Sequence, residues 1–143
     1  PQFMPGSQRR YAVDFDDDSR VDLAGSVADA IGSVARFLEQ HGWQAGQPVA
    51  VPALTPAEPE RDLLEAGIRP SLKVAALVEK GITAEASPEA TVALVDLVSP
   101  GRETEYWLGF DNFYVITRYN RSSFYAMAVF QLAQAIKGRL PVR

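Results

Sequence analysis

The sequence predicts an α+β protein: a mostly helical body with a small antiparallel β lobe inserted into it. Three observations predict this. Helical periodicity with clear start and stop signals occupies residues 26–42 and again 110–138. Between them, residues 43–103 are rich in proline and glycine, and their apolar segments are short. A β-branched run at 90–98 is followed by Pro100-Gly101 and a second strand-like segment at 104–109, the pattern of a hairpin.

Residues 1–13 mix aromatic, proline and basic residues without a period, and an acidic loop follows. Ser26 is a good N-cap for the first helix, with Asp29 three residues on in a capping-box arrangement. Val27, Ile31, Val34 and Leu38 recur at helical spacing and predict its buried stripe; Gly42 supplies the stop. His41, the sole histidine, falls in the last turn and is expected at the surface. In the lobe, residues 48–53 read as a strand and 60–66 as a short helix ended by Gly67. Ser71 is expected to cap a second helix, ended by Gly81. Asp111 or Asn112 can cap a short helical segment, and Ser122 or Ser123 starts the last helix, closed by Gly138. That helix is apolar or small on nearly every face, which predicts burial on most sides. The divisions drawn are 1–43, a core segment with the acidic loop at 14–29 and a helix; 44–103, the inserted lobe; and 104–143, the return strand and C-terminal helices. Trp43 and Trp107 are expected to pack lobe against core.

With 143 residues and 47% hydrophobic content, the chain suits one compact domain or a domain plus a small lobe. It has no cysteine, which excludes disulfides, thiolate metal sites and cysteine nucleophiles. No basic stripe suggests nucleic acid, and no apolar run is long enough to span a bilayer. The net charge of −4 is a local property. It comes from Asp14, Asp16, Asp17, Asp18 and Asp22, in the run D-F-D-D-D-S-R-V-D.

Such a cluster repels itself unless a cation cancels the charge. Asp14, Asp16 and Asp18 alternate, as do the side-chain ligands at positions 1, 3 and 5 of an EF-hand calcium loop. In that register Arg20 would give its carbonyl, Asp22 would lie near a water and Val21 would face the core. Two positions depart from the pattern. Position 6 is Ser19, where the turn prefers glycine, and position 12 is Gly25, which offers no carboxylate. The closing acid must then be Asp29. All these donors are hard oxygens, which favours calcium over zinc. The alternative is a solvated acidic loop with Asp29 serving only as a helix cap.

Four blocks carry a family resemblance: Q-F-M-P at 2–5, R-R-Y-A-V-D-F-D-D-D at 9–18, D-A-I-G-S-V-A-R-F-L-E-Q-H-G-W at 29–43, and N-F-Y-V-I-T-R-Y-N-R-S-S-F-Y-A-M-A-V at 112–129. In content and order they resemble the lytic murein transglycosylase B family, over nearly the whole chain and weakly across 44–103. The resemblance implies a lysozyme-like core with an EF-hand-type loop holding a structural calcium. It implies cleavage of the β-1,4 bond between N-acetylmuramic acid and N-acetylglucosamine in peptidoglycan without water. One glutamate protonates the leaving oxygen, then serves as base while the C6 hydroxyl of the sugar closes a 1,6-anhydro ring. Ordinary glycosidases need two carboxylates; here the nucleophile is intramolecular. The family's catalytic glutamate precedes Q-F-M-P, so it is expected upstream of residue 1, and this chain alone is expected to be inactive.

By the same resemblance, Gln2 matches a polar residue of the cleft, Tyr119 and Asn120 match residues facing the reacting sugar, and Tyr125 matches a cleft aromatic. Phe37 stands where some members have tyrosine, so it keeps a stacking role without the hydroxyl. The implied metal set is Asp14, Asp16, Asp18, Arg20 and Asp29. The implied partners are peptidoglycan glycan strands, the missing N-terminal part of the same protein and other cell-wall enzymes. The implied location is periplasmic or outer-membrane-associated. A rival reading is a non-catalytic, calcium-stabilised module that binds glycan or protein. Dockerins share the alternating-aspartate loop but need a second copy, which is absent here.

Overall fold

A computed structural model describes residues 1–55 and 58–139, which form two compact units, 1–43 and 44 onward. The domain divisions drawn from the sequence include residues 56, 57 and 140–143, which lie outside the described residues.

The first unit holds α1 (Pro5–Tyr11), the acidic loop and α2 (Val27–Gln40). No period announces α1 in the sequence. It forms because Pro5 enters at the first helical position with its φ already set, and because Arg9 and Arg10 lie in the last turn, where the helix dipole favours cations. α2 begins as predicted: the Ser26 hydroxyl accepts the Asp29 amide. Gly42 ends it in the left-handed region, at φ +94°.

The buried face of α2 differs from the predicted one. Val27 and Ile31 are 74% and 64% exposed, while Asp29, Gly32, Ser33 and Phe37 are buried. Two things hold this small, polar face inside. The acidic loop bonds back onto it, and the rings of Phe3, Tyr11 and His41 surround Phe37. His41 is therefore a packing residue as well as a helix end: it stacks on Phe37 at 4.0 Å, and its Nδ1 lies 2.7 Å from the Phe37 carbonyl oxygen.

The second unit is built on an antiparallel sheet of order β1-β4-β3-β2, from β1 (Ala50–Ala53), β2 (Leu72–Lys73), β3 (Thr91–Leu97) and β4 (Glu105–Gly109). The predicted hairpin is β3–β4, with Leu94 opposite Leu108 and Val95 opposite Trp107. Alternation sends these pairs to opposite faces. Val92, Leu94 and Leu108 share a core with Leu63 of α3 (Arg61–Glu65) and with Val74 and Leu77 of α4 (Val74–Glu79). On the other face Trp107 meets Phe130 of α6 (Ser123–Lys137) edge to face, at 6.5 Å. Gly109 leaves room for Phe113 of α5 (Asp111–Tyr119), since a Cβ there would lie 2.9 Å from that ring.

Two further expectations are corrected. Ser71 does not cap a helix. Its amide bonds the Val92 carbonyl, Leu72 and Lys73 join the sheet, and α4 starts only at Val74. In α6 only Ala126 and Met127 are buried; Phe124, Leu132 and Ile136 are each more than half exposed. Much of its apolar surface thus stays exposed, and apolar composition alone overstated its burial.

Candidate functional site

In the first unit, the acidic loop turns sharply. Asp17 and Ser19 take positive φ, 58° and 70°. Ser19 thus occupies the left-handed position where EF-hand loops prefer glycine. The Asp14 carboxylate accepts the amides of Asp18 and Ser19 at 3.2 and 2.8 Å, and Asp18 accepts that of Arg20 at 2.8 Å. These bonds bring Asp14, Asp16 and Asp18 together, each offering an oxygen within 4.8 Å of the others. Oxygens bound about 2.3–2.6 Å from one ion lie at most about 5 Å apart. The three therefore fit a single hard cation, and the donor set is oxygen only.

Asp29 lies outside that trio, fully buried at the start of α2. Its two oxygens accept the amides of Phe15 and Asp22, each at 2.7 Å, so it clasps both arms of the loop. These bonds hold its carboxyl below the usual carboxylate range, against the opposing effect of burial. Ser26 links loop and helix: its hydroxyl donates to Asp16 at 2.6 Å and accepts from the Asp29 amide. Asp22 turns to the amides of Gly25 and Ala24, which lower its pKa. A Cβ at residue 25 would lie 2.6 Å from the Asp22 carboxylate, which accounts for glycine at the position where an EF-hand carries its closing acid.

Sequence reasoning missed part of this clasp. Ser33, fully buried, accepts the Val13 amide at 3.0 Å, and Gly32 leaves space for the Phe15 ring. The signal was present: Asp29, Gly32 and Ser33 fall three and four residues apart, on one helical face.

In the second unit, Tyr119 ends α5 and Tyr125 lies in the first turn of α6. Their rings are parallel within 6° at 6.1 Å. Ser122 makes the turn between the helices: its hydroxyl caps α6 by accepting the Tyr125 amide, and its own amide bonds the Asn120 carbonyl at 2.7 Å. Because Ser122 serves as the cap, the exposed Asn120 side chain is left without a hydrogen-bonding partner among the described residues. Burial and the neighbouring Tyr119 raise the Tyr125 hydroxyl pKa. In the first unit, Gln2 is exposed and Phe37 is 5% exposed within its ring cluster.

The family described as Transglycosylase SLT domain matches residues 1–134. This chain belongs to the transglycosylase SLT domain family. Membrane-bound lytic murein transglycosylase B of Escherichia coli (strain K12) is 42% identical to this SLT chain over 139 residues, 94% of the chain and 36% of the relative. The chain thus spans about a third of the length of that curated relative. Among solved structures, catenated lytic transglycosylase SltB1 of Pseudomonas aeruginosa matches with a TM-score of 0.83 and 43% identity, over 96% of this chain and 45% of its own. Escherichia coli lytic transglycosylase Slt35, solved in complex with calcium, matches at 0.79 and 41%, over 95% and 42%. Pseudomonas aeruginosa SltB3, solved with NAG-anhNAM-pentapeptide, matches at 0.80 and 35%, over 96% and 37%. The predicted α+β class, helical with a small antiparallel sheet, is the lysozyme-like architecture of these SLT structures.

Proposed function

We propose that this chain is the glycan-holding, calcium-braced part of a peptidoglycan lytic transglycosylase. The enzyme cleaves the MurNAc-β-1,4-GlcNAc bond without water and leaves 1,6-anhydro ends. Its acid/base glutamate is assigned to sequence outside residues 1–143, and its place of action to the periplasm or outer membrane. The observation that carries this reading is the parallel pair of Tyr119 and Tyr125 flanking the uncommitted Asn120, in a chain with a murein transglycosylase relative at 42% identity. Sugars present apolar faces to aromatic rings and hydroxyls to amides. Asn120 orients an acetamido group or meets developing charge. Gln2 and Phe37, in the first unit, are proposed as a polar and a stacking residue for glycan. That SltB3 was solved with NAG-anhNAM-pentapeptide supports the non-hydrolytic reading.

Asp14, Asp16 and Asp18, with the Arg20 carbonyl, would hold calcium, and Asp29 would close the loop. The ion would neutralise the cluster and brace the loop against α2. The divisions 1–43, 44–103 and 104–143 separate the metal segment, the lobe and the C-terminal glycan-contacting helices.

The test uses purified murein sacculi. This chain is retained on them without releasing product, and the longer parent protein releases 1,6-anhydromuropeptides, read by mass spectrometry. Retention with no release by the parent protein would support the rival reading of a non-catalytic binding module. No retention by this chain would remove the proposal.

A further inference from the structure

We infer a second glycan-binding site at the N-terminal end of α5: a cleft that takes one neutral N-acetylated sugar ring. This rests on the reading of the chain as a glycan-holding protein. The cleft encloses about 330 Å³, the lower end of the range for small-molecule sites, which run from about 300 to 1,000 Å³. Its floor is rigid. Asn112, 1% exposed, accepts the Gln44 amide at 2.8 Å and donates to the carbonyls of Gln44 and Gln47 at 2.8 and 3.0 Å. One buried side chain thereby fixes the loop opposite. Phe110, half-buried, lines the cleft, as do the exposed residues Gln44, Gln47, Glu85 and Asp111. None of those four side chains has a hydrogen bond or ion pair to another described residue.

The chemistry selects the ligand. No lysine, arginine or histidine lines the cleft, so a phosphate or carboxylate would find carboxylates and no cation. Amides, carboxylates and an apolar wall suit a ligand with hydroxyls, an acetamido group and an apolar face. The cleft lies at one end of α5 and the Tyr119–Tyr125 pair at the other, about 12 Å apart along a helix of nine residues. Two weak sites on one unit hold a polymer more tightly than either alone.

The test is an NMR titration of this chain with an N-acetylglucosamine tetramer. The expected result is saturable amide shifts at Gln47, Glu85 and Phe110 as well as at Tyr119–Tyr125. The double variant Gln47→Ala, Glu85→Ala should weaken the cleft shifts roughly fivefold to tenfold, about one hydrogen bond's worth, and leave those at Tyr125 unchanged. Both residues are exposed, so the fold should survive; an unchanged spectrum elsewhere checks this. Shifts at Tyr119–Tyr125 alone would overturn the second site and leave the proposed function standing. Shifts at neither end would remove both. Cleft shifts produced by a murein stem tripeptide and not by the tetramer would also overturn the inference.

Discussion

Phe15 lies directly over Gly32, so close that a β-carbon at position 32 would enter its ring. The Phe15 ring can lie on α2 only because residue 32 has no side chain. Gly32→Ala should therefore cost about 1–3 kcal/mol, although alanine is the better helix former by about 1 kcal/mol. Chemical denaturation measures it. A gain in stability would mean that the ring does not sit there.

Calcium should stabilise the protein through the native loop. At a hundredfold excess over Kd the gain is about 2.7 kcal/mol, and a chelator should remove it. Asp14→Ala and Asp18→Ala should abolish the calcium-dependent rise in Tm. Asp17→Ala should keep it, because Asp17 lies outside the trio. Calorimetry with and without chelator reads the difference, and an unchanged Tm in the parent chain would refute a structural metal.

How much of this was legible beforehand differs by element. The Ser26 cap, the Gly42 stop and the β3–β4 hairpin were written in local signals, and the structure has them. The alternating acids were legible because their chemistry is periodic along the chain. The docking face of α2 was not. Val27 and Ile31 gave the stronger apolar signal, yet the buried positions besides Phe37 are Asp29 and Ser33, held by hydrogen bonds to loop amides, and Gly32, against the Phe15 ring. Hydrophobic periodicity does not register burial driven by polar satisfaction. α1 escaped notice because seven residues carry too little period, and Ser71 misled because a cap residue and a strand entry look alike in isolation. For the candidate glycan contacts, the motif supplied Tyr119, Asn120 and Tyr125; the parallel ring pair that gives them geometry required coordinates.

Asn112→Ala should destabilise the second unit by at least about 2 kcal/mol, since it leaves the Gln44 amide and the carbonyls of Gln44 and Gln47 without their partner. Asn112→Asp should be no better than alanine at neutral pH: it keeps the acceptor for the Gln44 amide but sets a buried carboxylate oxygen against the carbonyls of Gln44 and Gln47. Urea unfolding of the three proteins checks the order.

Tyr106 and Tyr125 should ionise above the ordinary tyrosine range. Burial is the main cause in both, with Glu58 and Asp96 acting on Tyr106 and Tyr119 on Tyr125. Both folded-state values stand above the ordinary 10.0. The stability they contribute is complete below pH 10 and is lost as pH rises through the raised values. Absorbance titration of wild type against Tyr125→Phe should show one late-ionising phenol missing in the variant.

Strand β1 forms one border of the sheet, and its odd and even residues face different neighbours. Val49 bonds toward Phe110, while Leu54 bonds away, toward Thr83. Pro52 falls in the second set, so the position without an amide hydrogen lies on the open border. A further chain seeking to extend the sheet would meet a missing donor at Pro52 and an occupied one at Leu54. The lobe thus carries its own safeguard against templated fibril growth, and Pro52→Val should weaken it, leaving the Leu54–Thr83 pairing in place.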